Sequence, residues 1–472
     1  MATVGPGSIR QPLDVRPDRL APILGTWPEP ALLESGPGFG DAGRWSILTA
    51  RPRLVFEANG MAWSIRSDSG AVRSGDDQPL DALARLIKEF GLADPSEDSD
   101  PALPPFQGGL IGFFGYDLAP LLERLPRKAP RASRIPDVRF ALHDQAVTVD
   151  HATGAVDLWA HDLLGEGPGP TERRAREWRV AIERQSCSPP RRSRLGPLRS
   201  NFTEADYLAA VRRSLDYIAA GDVFQVNLSQ QFSARGSIVP LDLYLRLKKR
   251  SPAPFGAFLA WDDLAVVSAS PESFYQTRGT AIVTRPIKGT RPRGSTPIDD
   301  ARQVAELAAS PKDRAELTMI VDLERNDLGR VCRYGSVKVI DPLRVESFAQ
   351  VHHLVATVEG RLWPGLGPID VVRAMFPGGS ITGAPKIRAM QIIDELEPTR
   401  RSLYTGAVGY FSRGGTSAFN IVIRTLFVEG DRVSYQVGGG IVADSGPLTE
   451  YHETLHKGRG LREVLDEADP EG

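Results

Sequence analysis

Residues 419–437 read FNIVIRTLFVEGDRVSYQV, two runs of β-branched and aromatic residues separated by Glu429, Gly430 and Asp431. Such runs bounded by a glycine-acid turn read as strands, and so short a connection joins strands that lie antiparallel. Further strand-like runs occur in the second half of the chain: VFQVNLSQQF, LAVVSASP, TAIVTRPI and SVKVIDPLRV. Segments with helical spacing of apolar residues lie among them. EADYLAAVRRSLDYIAAG stops at Gly221, and others precede Ser310, follow it, run from about Ala384 to Leu396 and close the chain. Strands and helices do not alternate as they would in a doubly wound sheet, so the expected class is α+β.

Two stretches interrupt the pattern. Leu92–Gln107 is acidic and proline-rich, Gln185–Ser200 is rich in Ser, Pro and Arg, and both read as loops. The second separates residues 1–195 from 196–472. The first region has strand-like runs of its own, GRWSILTA and RLVFEANGMAWSIRS. It either extends the same sheets into one composite domain or forms an appended one.

Lys and Arg number 57 against 59 Asp and Glu in 472 residues, a net charge of -2 that gives no electrostatic footprint for nucleic acid or an anionic membrane. Two cysteines, Cys187 and Cys332, supply neither a disulfide framework nor a thiolate metal cluster. The start lacks a signal-peptide core, and no run approaches the roughly 18 apolar residues of a membrane span. A cytoplasmic protein is expected.

Several segments carry candidate chemistry. In TRPIKGTR, residues 284–291, Lys288 lies between Arg285 and Arg291, whose field favours the neutral, nucleophilic amine. A surface turn with solvated charges is the competing reading. Ser310 is the expected cap of a helix with Pro311 in its first turn, and Asp313 and Glu316, three apart, share a face. Glu450 and Glu453 repeat that spacing, with Lys457 one turn on. Each pair alone reads as acids at a helix start or a surface ion pair. Together they suit Mg²⁺, which takes one or two carboxylates and leaves positions for an anionic substrate.

FPGGSITGAPKIRAM, residues 376–390, places Gly378, Gly379, Ser380, Thr382 and Gly383 before a helix start, a setting for an anion or simply a tight turn. A phosphate-binding loop fails on spacing, because Ala384 and Pro385 stand where Lys and Ser or Thr are needed. Arg424 lies inside a strand-like run, where it either grips a ligand carboxylate or forms an internal salt bridge. His353 alternates with apolar residues and reads as a core histidine or a substrate contact. Glu272 follows a buried-looking strand and a proline, a setting that raises a carboxyl pKa toward acid catalysis.

QVNLSQ, SASPESF, TRPIKGTRPRG, KDRAELTMIVDLERNDLGR, VHHLVATVEG, FPGGSITGAPK, YTGAVGYF, NIVIRTL and GGGIVADSGPLTEYHET occur in this order between Phe202 and Arg462. In order and spacing they resemble the chorismate-utilising enzymes, among them the anthranilate, aminodeoxychorismate, isochorismate and salicylate synthases. Weaker likenesses, ALLES, GRWSIL and GGLIGFFGYD, extend into the first half.

The resemblance implies two packed, mainly antiparallel sheets flanked by helices. It implies Mg²⁺ held by Glu316 and Glu453, with Asp313 and Glu450 supporting through water. Chorismate would be gripped by Arg424, Lys457 and the Ser380, Thr382 and Gly383 turn, with Tyr404, His353, Thr290, Gly439 and Gln225 nearby. Anthranilate synthases typically read PIAGT where this chain has PIKGT, the form of the aminodeoxychorismate synthases that use covalent catalysis. That branch implies Lys288 as nucleophile and Glu272 as acid in a C–N bond-forming transferase of p-aminobenzoate and folate biosynthesis. Gln225 stands where isochorismate and salicylate synthases carry a water-activating lysine.

Neither cysteine has the setting of an amidotransferase nucleophile, so the resemblance implies ammonia from a separate glutamine amidotransferase subunit. Anthranilate synthase component I and a non-catalytic chorismate-binding relative are the alternatives. Glu34 and Ser35 in ALLESG resemble part of the tryptophan pocket of feedback-inhibited members. The companion NPSPYM is SPAPFG here, which departs from feedback inhibition and leaves open a structural tryptophan.

Overall fold

The hairpin forms with a two-residue connection: Thr425–Glu429 and Arg432–Ile441 pair antiparallel, Glu429 opposite Arg432, around Gly430 at φ +64 and Asp431. The structure is a computed structural model describing residues 2–3, 8–36, 38–93, 103–186, 189–348 and 351–466. Part of the Leu92–Gln107 loop and Cys187 lie outside the described residues. Two antiparallel sheets, of fourteen and twelve strands, carry ten α-helices among the described residues, which bears out the α+β expectation. No helix there is long and apolar enough to cross a membrane.

The sheets face each other. Ile47, Trp261, Val266 and Phe427 of the larger meet Ile111, Phe113, Val408 and Tyr410 of the smaller in one apolar layer. On the outside of the smaller sheet, Leu83, Leu317, Val321 and Val371 of three helices cover Phe56, Phe140, Leu354 and Phe419. Outside the larger, Leu24, Trp178, Leu247 and Leu461 of four helices cover Val147, Leu158, Val267 and Leu426. Strands from either side of residue 195 share both sheets: Ala31–Glu34 pairs with Phe255–Trp261, and Gly109–Phe114 with Ala407–Ser412.

Two sequence readings are corrected. Gln185–Ser200 is not wholly a loop, because Arg194–Leu195 and Arg199–Ser200 add short edge pairings to the strand Gln225–Ser237. The apolar run around Arg424 is not one strand. Thr416–Ile421 belongs to the smaller sheet and Thr425–Glu429 to the larger, and the chain changes sheets between them. It changes sheets a second time between Leu264–Ser270 and Ser273–Arg278. The crossings lie side by side: Ile421 N donates to Glu272 O (3.0 Å), Ala269 N to Arg424 O (3.1 Å), and Ser270 Oγ to Ile421 O (2.6 Å).

Candidate active site

The sheet crossings present Glu272 and Arg424. At a crossing the ladder is interrupted, so a side chain can point into the space between layers instead of alternating across one sheet. Arg424 adopts φ +51, a left-handed conformation uncommon outside glycine, which signals that its direction is imposed. It is half-buried and forms no ion pair among the described residues, and burial lowers its pKa with Glu272 as the opposing charge. The internal-salt-bridge reading therefore fails, leaving a guanidinium without a carboxylate partner.

Glu272 is buried, and that burial raises its pKa despite the Ser380 hydroxyl bonded to it and the neighbouring Lys288 and Arg424. Lys288 lies on the strand Ile287–Pro292, which pairs with Val351–Arg361, and its Nζ lies 3.4 Å from Ser380 O. Burial lowers its pKa, with Glu316, Glu272 and Glu453 opposing and Lys457 assisting. The flanking arginines are not the cause: Arg285 is paired with Glu346, and Arg291 with Asp313 at 3.0 Å. The lowered pKa of Lys288 thus comes mainly from desolvation, with Lys457 rather than Arg285 or Arg291 as the assisting charge. His353 is also buried and held neutral, its pKa pushed down to about 4, and its Nδ1 lies 3.0 Å from the exposed Thr290 Oγ1.

Ser310 caps the helix Pro311–Gly329 by accepting from Asp313 N (3.3 Å), as its position before Pro311 predicts. Glu316, one turn on, lies 3.9 Å from Lys312. From the helix Pro447–Asp466, Glu450 accepts from Ser445 Oγ (2.6 Å), and Glu453 pairs with Lys457 (2.7 Å), whose Nζ also donates to Gly438 O (3.1 Å). Gly439 leaves room for this group. A Cβ there would stand 3.1 Å from Glu450 Oε2 and 3.7 Å from both Glu453 Oε1 and Lys457 Nζ.

The four acids do not form one cluster, and no group of three or more metal-ligating side chains is gathered among the described residues. Asp313 is spent on Arg291 and Glu450 on Ser445. Glu316 and Glu453 remain, both within charge range of Lys288. Glu453 is itself paired with Lys457 at 2.7 Å and Glu316 lies 3.9 Å from Lys312, so a hard divalent cation held by them would take the place of those ammonium contacts and complete its shell with water and substrate oxygens.

The glycine-rich turn differs from the sequence expectation. Gly379–Ile381 is a 3₁₀ turn, Gly383–Ala384 is a strand paired with Gln225–Val226, and the helix begins only at Lys386. The turn is therefore set off from the helix start at Lys386 by Thr382 and the two-residue strand. Thr382 is fully buried and its Oγ1 donates back to Gly378 O (3.0 Å), while a Cβ on Gly383, at φ +142, would stand 2.2 Å from Gln225 O. Both shape the backbone. Ser380 is the member that reaches the site, through Glu272 and Lys288. Gln225 is buried with both amide atoms unpartnered and packed on Gly440, a setting that calls for a ligand or water. Tyr404 is buried one turn from Arg401, whose guanidinium sits 5.6 Å from its ring centroid.

Glu34 and Ser35 are not part of this group. Glu34 is taken by Tyr244 Oη (2.5 Å) and Lys248 Nζ (2.7 Å), and Ser35 Oγ bonds Pro254 O.

Sequence reasoning missed the support under the turn. Asn227 Nδ2 donates to Ser380 O (3.0 Å), and the buried Arg401 donates to Ile381 O, Asn227 O and Glu397 at 2.7–3.0 Å. Glu397 in turn accepts from Ser229 N and Oγ. The i,i+4 spacing of Glu397 and Arg401 was the available signal, but it looks like any surface pair.

The sequence pattern of the chorismate binding enzymes matches residues 45–463. The chain is 41% identical over 436 residues to aminodeoxychorismate synthase component 1 of Escherichia coli (strain K12), covering 92% of this chain and 93% of that protein. It is 39% identical over 434 residues to anthranilate synthase component 1 of Thermus thermophilus, covering 91% of each. Among solved structures it is similar to anthranilate synthase component I from Streptococcus pneumoniae TIGR4, with a TM-score of 0.78 at 32% identity over 90% of this chain and 92% of that one.

Proposed function

The chain belongs to the chorismate binding enzyme family, and from that premise we propose that it is component 1 of an aminodeoxychorismate synthase, joining ammonia to chorismate at C4 through a covalent lysine intermediate. The observation that carries the reading is Lys288: an amine desolvated toward its neutral form, close enough to act on a buried carboxyl kept toward its acid form, which also feels the unpaired Arg424.

Each residue has a task set by its surroundings. Arg424 receives a substrate carboxylate through two parallel bonds and fixes the ring against Lys288, which makes attack effectively unimolecular. Lys288 Nζ attacks C2, the ring double bonds shift, and the C4 hydroxyl departs as water with the proton of Glu272. Ammonia then attacks C4, the C2–N bond to Lys288 breaks, and Glu272 recovers its proton from the new ammonium group. Two displacements leave the configuration at C4 unchanged. Ser380 holds the Glu272 carboxyl in place, and its carbonyl orients the lysine.

Mg²⁺ would be held by Glu316 and Glu453 and would supply neutralisation of a substrate carboxylate. Ammonia would come from a glutamine amidotransferase subunit, the partner that the word component in the relatives' names suggests. Similarity to anthranilate synthases over the same span favours anthranilate formation as a second reading. Chorismate, Mg²⁺ and an ammonium salt separate the two. A non-fluorescent amino-deoxychorismate with its enolpyruvyl group intact supports the proposal, and fluorescent anthranilate overturns it.

A further inference from the structure

The helix Pro311–Gly329 carries a second buried carboxyl at the site, Glu324, which the mechanism above does not use. It packs under the catalytic turn, its Oε1 3.6 Å from where a Cβ on Gly379 would stand, next to Ser380. Its Oε2 lies 3.3 Å from Thr284 Oγ1, on the strand that leads to Lys288, and that hydroxyl lies 2.8 Å from Phe274 O. A hydroxyl has one proton and a backbone carbonyl can only accept. The proton of Thr284 therefore goes to the shorter contact, Phe274 O, and the Glu324 contact needs a proton from the carboxyl itself. An ionised Glu324 would face the hydroxyl lone pairs in a buried place.

The surrounding charges agree. Asp327 on the same helix and Glu272 on the sheet crossing both oppose a charge on Glu324. Lys386, the nearby cation, is engaged by Asp327 at 2.5 Å and by Met375 O, and Arg330 also faces Asp327. Burial is the largest influence, pushing the Glu324 carboxyl up to about 8 with Asp327 and Glu272 in the same direction and Lys386 and the Thr284 contact in the other.

We propose that Glu324 is a positioning residue that works as a neutral acid, its carboxyl proton tying the helix beneath the Gly378–Thr382 turn to Thr284 and keeping a second negative charge away from Glu272. When Glu324 ionises, the tie to Thr284 is lost and Glu272 gains a like-charged neighbour. A neutral Glu in a fold costs stability once the pH exceeds the unfolded value near 4.5, and a site that needs the proton can retain that cost.

The test compares the parent chain with Glu324→Gln, which keeps the shape and a neutral donor. The infrared difference spectrum between them should show a protonated-carboxyl band in the parent at pH 7 that disappears as pH rises through about 8. In denaturant unfolding, the folded parent binds one proton more than its unfolded chain between about pH 5 and 8. The ratio of parent to variant unfolding constants should therefore rise roughly tenfold per pH unit across that window and level off above it. No band together with a pH-independent ratio would show Glu324 ionised and overturn the proposal. The positioning role rests on the function proposed above: at fixed free ammonia, the basic limb of turnover should shift in Glu324→Gln, and an unmoved limb would reduce the residue to packing. A parent without turnover would sink the proposed function, while the infrared and unfolding results would still decide the protonation of Glu324.

Discussion

Replacing Arg424 by lysine should weaken chorismate binding without weakening the fold. The guanidinium has no ion-pair partner among the described residues, and burial already disfavours its charge, so the substitution breaks no internal salt bridge. Both residues tolerate φ +51 about equally, so backbone strain is unchanged. The loss falls on the ligand. A planar fork holds a carboxylate by two charge-assisted bonds and an ammonium by one, and such a bond contributes about 1.5–3 kcal/mol. A loss of about 2 kcal/mol corresponds to a dissociation constant raised roughly 30-fold, and Arg424→Ala should lose about 3–4 kcal/mol, roughly 150- to 1,000-fold. Calorimetric titration of chorismate in Mg²⁺ gives the affinity, and thermal melting of the unliganded protein gives the stability. A melting temperature that falls while chorismate affinity stays unchanged would refute the reasoning, because Arg424 would then be a structural cation.

Other outcomes follow from the same geometry. Modification of Lys288 by chorismate should pass through a maximum with pH, because the deprotonated amine and the protonated Glu272 must be present together; absence of the modification in Glu272→Gln at every pH checks the acid's part. Arg401→Met should cost about 3–5 kcal/mol in guanidinium chloride unfolding, because it leaves Glu397 buried without its partner. Chelation of divalent cations, or Glu316→Gln, should abolish chorismate binding in calorimetry while leaving the melting curve close to that of the untreated protein.

The hairpin, the helix cap at Ser310 and the antiparallel class were legible because local periodicity and turn chemistry dictate them. The break at Arg424 was not. Val422 and Ile423 are apolar on both sides of the crossing, since each sheet buries its strands, so the period-two pattern runs unbroken through a change of sheet. A positive φ at a non-glycine residue leaves no compositional trace. The pairing of Glu272 with Lys288 was reachable through ordered motifs, but its physical cause was not: Arg285 and Arg291 look like the perturbing charges in sequence and are neutralised by Glu346 and Asp313, which lie 61 and 22 positions away. The structural part of Thr382 and Gly383 was not legible, because glycine-rich turns serve folding and binding alike and only the packing of Gly383 against Gln225 reveals the first. Asn227 sat inside a quoted motif with nothing to distinguish it until the turn it supports was seen.

Intact-protein mass spectrometry after mixing with chorismate and Mg²⁺, in the absence of ammonia, tests the covalent route most directly. The account predicts a mass increase equal to chorismate less one water, located on Lys288, absent from Lys288→Ala and released when an ammonium salt is added. An unmodified Lys288 in a protein that still turns over chorismate with ammonia would contradict it.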